Sequence, residues 1–194
     1  MRSYNIAAYI SGSGSNLKSV IESSLKGKIA SKIRLVIANK NADGLKYPSS
    51  LGIETAVIER KKLPRKEFVD LQFRLLEKHG IDLIILAGYL KKIPDEIIEK
   101  FRGRIINIHP ALLPKFGGKG MHGIQVHKAV IEAGEKSSGP TVHFVDEKYD
   151  HGDIILQEKI AVAEGETPES LQRKVLKIEH RIYTEALKLL EEMK

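Results

Sequence analysis

Two rhythms of apolar residues alternate along the first half of this chain. Short apolar runs at 5–10, 33–38, 55–58, 83–87 and 104–108 have the length and β-branched content of strands. The run at 83–87 is almost wholly apolar, which predicts a central strand covered on both faces. Between these runs, apolar residues recur every three or four positions. Leu17, Val20, Ile21 and Leu25 mark a helix over 15–26, and Phe68, Leu71, Leu75 and Leu76 mark another over 65–79. A short helix over 94–101 has Pro94 at its start.

Beyond this point the pattern changes. A loop rich in Gly and Lys covers 114–123, and a helix follows at 124–133. Runs at 141–145 and 153–160 read as two strands flanking a polar connection. A long closing helix spans 167–192, with Thr167 suited to the N-cap and Pro168 to the first helical position. Leu171, Val175, Ile178, Ile182, Ala186 and Leu189 form its expected core stripe. Alternating strands and helices predict an α/β fold. The expected architecture is a three-layer, Rossmann-like, mostly parallel sheet with helices on both faces and a late antiparallel strand pair. No repeat or linker is visible, so 1–194 is expected to be one domain.

Composition narrows the class. Hydrophobic residues make up 42% of the chain, which excludes a disordered polypeptide. With no cysteine there can be no disulfide, cysteine nucleophile or thiolate metal site. No signal peptide or spanning stretch is visible, and a cytoplasmic protein is expected. The formal net charge of +7 is spread in short clusters such as Arg60-Lys61-Lys62 and Lys91-Lys92. Such a surface attracts anions. Without basic blocks or interleaved aromatics, neither a nucleic-acid nor a membrane partner is expected.

The chemistry concentrates at strand ends. In Asn107-Ile108-His109-Pro110, period-two alternation points an amide and an imidazole to one side of a strand that Pro110 then stops. Open α/β folds place ligands at such carboxyl ends. Asn107 can donate to an oxygen, and His109 can move a proton near neutral pH. Ser11-Gly12-Ser13-Gly14-Ser15-Asn16 follows the first strand and opens the first helix, an arrangement suited to an anion. Leu17 stands where a dinucleotide fingerprint has its third glycine, and Asn39 ends the second strand in place of an acid. These residues favour a single phosphate over NAD, and an ordinary capping turn is the alternative. Asp150 lies between the late strands, with Asp146 and Asp153 as competitors. Beside an imidazole it would favour the charged form and raise the pKa. Glu179 flanks the stripe of the closing helix with no Lys or Arg three or four residues away, leaving it free to accept sugar hydroxyls or to reach water. His122 and His127 match no metal-ligand spacing, and His143 fits either the core or the surroundings of a site.

Taken together, these residues resemble the phosphoribosylglycinamide (GAR) formyltransferase family over essentially the whole chain. The resemblance rests on Ile10-Ser11-Gly12-Ser13-Gly14-Ser15-Asn16, Leu86-Ala87-Gly88-Tyr89, Asn107-Ile108-His109-Pro110, Leu112-Leu113-Pro114 and Val142-His143-Phe144-Val145. It continues through Asp150-His151-Gly152, Ile155-Leu156-Gln157 and Glu179-His180. It implies transfer of a formyl group from 10-formyltetrahydrofolate, as co-substrate, to the amine of GAR in purine synthesis. No metal is required, and the enzyme would be a monomer or homodimer. Asn107, His109 and Asp150 would be catalytic. Gly14, Ser15 and Asn16 would hold the GAR phosphate, and Glu179 the ribose. Arg65, Leu90, Lys91, Lys92 and Ile93, with Asn107, would line the folate cleft. Residues 1–100 would form the phosphate-binding half and 101–194 the catalytic and folate-binding half. The 115–123 loop is longer than the commonest family form, and its glycines imply a mobile lid.

Three rivals keep part of this pattern. A formyl-folate hydrolase would use the same triad on water but is expected to carry a further N-terminal domain. Methionyl-tRNA formyltransferase would need a C-terminal RNA-binding domain. A phosphate sensor would have no use for Asn107, His109 and Asp150 together. Abundant Lys, Glu and Ile, with few Gln, point to a thermophilic source. Calorimetry should therefore give a melting midpoint well above the mesophile range of about 45–65 °C; a value within that range would contradict the inference.

Overall fold

The computed structural model describes residues 2–193. In chain order the larger elements begin with β1 (Asn5–Ile10), α1 (Ser15–Leu25), β2 (Lys32–Ala38), the short α2 (Lys46–Ser50) and β3 (Glu54–Val57). Then follow α3 (Arg65–Lys78), β4 (Leu83–Leu86), α4 (Asp95–Lys100) and β5 (Ile105–His109). The last part holds α5 (Ile124–Glu132), β6 (Ser137–Ser138), β7 (Thr141–Phe144), β8 (Ile154–Gln157), β9 (Ile160–Ala161) and α6 (Pro168–Glu192). Seven strands form one sheet in the order β3-β2-β1-β4-β5-β7-β8, and β6 pairs with β9 apart from it. The first five are parallel; β7 runs antiparallel to β5 and β8 antiparallel to β7, at the edge. The expected α/β architecture is therefore what the chain forms.

Strand alternation divides the core in two. Ile6, Ala8, Ile10, Ile106 and Ile108 face α1 and α6, while Ala7, Tyr9, Ile84, Leu86 and Ile105 face α3 and α4. Asn107 and His109, in phase with Ile105, lie on the α3–α4 side. The order reverses between β1 and β4, and the crevice outside their carboxyl ends is where such sheets bind ligands.

The closing helix starts as expected. Thr167 accepts the Ser170 N–H in a capping box, and Pro168 is the first helical residue. Its stripe differs toward the end. Leu189 is exposed, and Tyr183, Leu187 and Leu190 are buried instead, because a period of 3.6 carries the covered face past Leu189. Leu25, at the last turn of α1, is also exposed. The expected 153–160 strand is two strands. Pro140 has no N–H to continue the ladder, and a Cβ on Gly139 (φ 143°) would lie 1.8 Å from the Glu158 carbonyl oxygen. The chain therefore leaves β7 after Gln157 and pairs again at Ser138–Ile160.

The end of α6 is fastened to the start of the chain. The Glu191 carboxylate, 2% exposed, accepts the Ala30 N–H at 3.1 Å, the Ser31 N–H at 2.7 Å and the Ser31 hydroxyl at 2.6 Å. Ser31 Oγ in turn accepts the Tyr4 N–H at 3.0 Å. Removing the carboxylate would leave the buried N–H and hydroxyl of Ser31 unpaired, together with the half-buried Ala30 N–H. Glu191→Ala should cost about 2–4 kcal/mol in urea denaturation; a loss under about 0.5 kcal/mol would refute this role.

Candidate active site

One cleft of about 780 Å³ opens at the carboxyl ends of β1, β4 and β5. Its first wall is the loop Gly12–Asn16. Gly14, with φ 71°, is the N-cap of α1 and makes no side-chain cap, so the helix amides face the loop. Gly44 packs against it: a Cβ on Gly44 would lie 2.7 Å from the Gly12 oxygen and 2.9 Å from the Gly14 Cα. Nothing in the hydropathy pattern marks Gly44. Ser11 couples this loop to the one after β4, because its N–H donates to the Gly88 oxygen (3.1 Å) and its hydroxyl accepts the Leu90 N–H (2.8 Å).

That second loop forms the opposite wall, with Leu86–Ile93 lining the cleft. Leu90, Lys91, Lys92 and Ile93 are thus in the cleft. Arg65 is not: it lies outside the lining and pairs with Glu96 at 3.0 Å. It opens α3 on the outer side, where a carboxylate of α4 is nearer than the cleft.

Glu179 stands over the first wall. It is 7% exposed and accepts the Asn16 side-chain N–H at 2.7 Å. Burial, only partly offset by that hydrogen bond, pushes its carboxyl up to about 7. Asn16 Oδ1 is buried and has no partner among the described residues.

Asn107 and His109 form the floor, and the connection after β7 brings Asp150 to them. Asp150 Oδ2 accepts the Gly118 N–H at 2.8 Å and lies 3.6 Å from His109 Nδ1. Asp150 Oδ1 lies 3.4 Å from Asn107 Nδ2 and 3.6 Å from His143 Nε2. Asp146 is engaged elsewhere, accepting from the His151 ring at 3.1 Å and from the Lys148 N–H at 2.8 Å. Burial alone would raise the Asp150 carboxyl, but His143, His109 and the Gly118 amide outweigh it and hold it below its ordinary value.

His109 overturns one expectation. Asp150 does pull its pKa upward, yet burial is the larger effect and the net direction is down. His109 Nε2 donates to the Phe116 carbonyl at 2.8 Å, leaving Nδ1 as the nitrogen that gains or loses the proton. Phe116 (φ 56°) and Gly118 thus tie the base of the 115–123 loop to His109 and Asp150, and 118–123 line the cleft. Loop length alone carried no sign of these backbone contacts. His127, which matches no metal-ligand spacing, also lines the cleft, and burial and nearby His109 lower its pKa to about 4.

The cleft thus brings together strand-end donors, a paired carboxylate and the N-terminus of α1. Residues 4–187 match the Formyl transferase family, and the chain belongs to it. Phosphoribosylglycinamide formyltransferase, chloroplastic, of Arabidopsis thaliana is 44% identical over 193 residues, covering 96% of this chain and 65% of that protein. The chain thus spans less than two thirds of that plant relative's length. Phosphoribosylglycinamide formyltransferase of Haemophilus influenzae is 38% identical, covering 94% of this chain and 85% of that one. The crystal structure of glycinamide ribonucleotide transformylase 1 from Symbiobacterium toebii superposes with a TM-score of 0.90 at 37% identity, covering 98% of this chain and 88% of that one.

Glu179 makes stability depend on pH. Its folded-state pKa of about 7 lies above the ordinary 4.5, so the folded protein binds the proton more tightly than the unfolded chain. The contribution is fully present below about 4.5 and is lost as pH rises through about 7. Glu179→Gln should therefore flatten the pH-stability curve in that window and be about 2–3 kcal/mol more stable than wild type at pH 8. Parallel curves for the two proteins would contradict the assignment.

Proposed function

We propose that this chain transfers the formyl group of 10-formyltetrahydrofolate to the amine of GAR. The observation that carries the reading is the meeting of Asn107, His109 and Asp150 on the floor between the Gly12–Asn16 and Leu86–Ile93 walls. A phosphate suits the first wall, where Gly14, Ser15 and Asn16 open a helix, and Glu179 would take the ribose hydroxyls. Leu90 and Ile93 would cover the pteridine, while Lys91 and Lys92 would meet the carboxylates of its tail. Arg65 has no part. A volume of about 780 Å³ suits two small substrates meeting end to end.

The reaction joins the neutral amine nitrogen directly to the formyl carbon. The formyl oxygen becomes an oxyanion, received by N–H groups of Asn107 and charged His109. As the carbon–N10 bond breaks, N10 needs a proton. His109 gives one from Nδ1 and regains one from the nitrogen that attacked. Burial favours neutral His109, and two negative charges oppose burial: the Asp150 carboxylate and the phosphate of the incoming substrate. Water excluded from the closed cleft cannot compete for the formyl carbon.

Mixing the protein with 10-formyltetrahydrofolate and GAR should yield formyl-GAR and tetrahydrofolate. Formate release without the amine would point to a hydrolase, and binding without turnover to a phosphate sensor; either result would remove the proposal. His109→Ala and Asp150→Asn should each lower kcat about 100-fold or more, the cost of losing a transition-state donor or the group that holds it. Asp146 also lines the cleft but pairs with His151 and not His109, so Asp146→Asn should stay within about threefold of wild type. Near-normal turnover in His109→Ala would exclude the mechanism.

A further inference from the structure

The proposed mechanism leaves His143 unused, although it is 1% exposed and lines the cleft. It sits on β7 directly opposite Asn107 in the antiparallel register, so the two side chains share one face. Its Nδ1 donates to the Phe144 carbonyl at 2.7 Å. A carbonyl can only accept, so Nδ1 carries the proton. In the neutral ring Nε2 is then a bare acceptor; only the charged ring, which would lower the Asp150 pKa, turns a second proton toward Asp150 Oδ1, 3.6 Å away. That acceptor lies 3.1 Å from Asn107 Nδ2. The other Nδ2 hydrogen has only Asp150 Oδ1, at 3.4 Å, near the weak limit of a hydrogen bond.

This chain of contacts fixes an amide that could otherwise turn over. With Nδ2 toward His143, Asn107 offers the cleft a second, loosely held N–H. Turned over, it would set its carbonyl oxygen against the His143 lone pair and against the Asp150 carboxylate, three acceptors with no hydrogen among them. It would also meet a developing oxyanion with an oxygen. We propose that His143 is a positioning residue: by holding the Nδ1–H tautomer on the Phe144 carbonyl, it keeps the Asn107 N–H, not its oxygen, aimed at the formyl oxygen. The Phe144 carbonyl thereby governs a group two links away, through the order of donors and acceptors alone. The inference rests on reading the cleft as a formyl-transfer site.

Two measurements test it. The first needs no turnover. In protein labelled with 15N-histidine, with the His143 signal assigned by its loss in His143→Leu, the ring at pH 8 should show a protonated Nδ1 and a bare Nε2. A proton on Nε2 would overturn the proposal even if the protein formylates GAR. The second is a double-mutant cycle. His143→Leu should lower kcat about 10- to 100-fold, the range for a misplaced oxyanion donor, with both KM values within about threefold. In an Asn107→Ala background the same change should cost less than about threefold, because its target is gone. His143→Gln, which can present a carbonyl oxygen in place of Nε2, should recover part of the loss and guards against a Leu variant that fails to fold. Full additivity with Asn107→Ala, or no recovery in a folded Gln variant, would overturn the proposal. Absence of turnover in wild type would instead sink the formyl-transfer reading and leave the tautomer to be judged by the spectrum.

Discussion

The buried hydroxyl of Tyr183 donates to the Leu86 carbonyl at 3.0 Å and lies 3.4 Å from that of Ile106, fastening the last helix across the ends of two central strands. Smaller hydroxyls continue the attachment along α1: Ser19 bonds the His180 carbonyl at 3.0 Å, and Ser23 and Thr184 pair at 2.9 Å. These contacts fix both the height and the rotation of α6. Glu179, one turn before Tyr183, can reach Asn16 only with the helix in that setting. A fold of parallel strands supplies the crevice, but the Glu179 carboxylate at its wall depends on how the last helix is seated.

The floor of the cleft obeys a different balance. Asp150 gathers the Gly118 amide, the Asn107 amide and two imidazoles around one carboxylate, in a backbone conformation (φ 53°) that non-glycine residues seldom adopt. Its negative charge favours a proton on His109, and burial opposes that proton. Of the opposed pulls burial is the stronger, and the net direction is down.

Much of this was legible in the residues. Continuous apolar runs announced the parallel strands, and the two-residue spacing of Asn107 and His109 put both on one face. The Gly/Ser run marked the first wall. What escaped was set by partners distant in sequence. Leu25 and Leu189 fit a helical stripe but fall where nothing covers them. The 153–160 run has strand composition throughout, yet its partner is interrupted at Gly139-Pro140. The Phe116 carbonyl and the Gly118 amide act through the backbone, which side-chain chemistry does not announce. Arg65 carried a suitable charge, but Glu96 claims it. The His109 pKa was misjudged for a related reason: charge is visible in a sequence, and depth of burial is not.

The seat of Glu191 also bears on how the chain is made. The segment at Ala30 and Ser31, which supports the first strand through Tyr4, receives its acceptor only when residue 191 is present. A ribosome delivers these partners in order, separated by nearly the whole length of the domain. Until the last turn of α6 emerges from the exit tunnel, the first strand and its neighbours carry donors with no protein acceptor and an apolar face without its covering helix. The first strand and its neighbours therefore stay unfinished while the residues between Ser31 and Glu191 are translated, and that time sets their interval of exposure to chaperones.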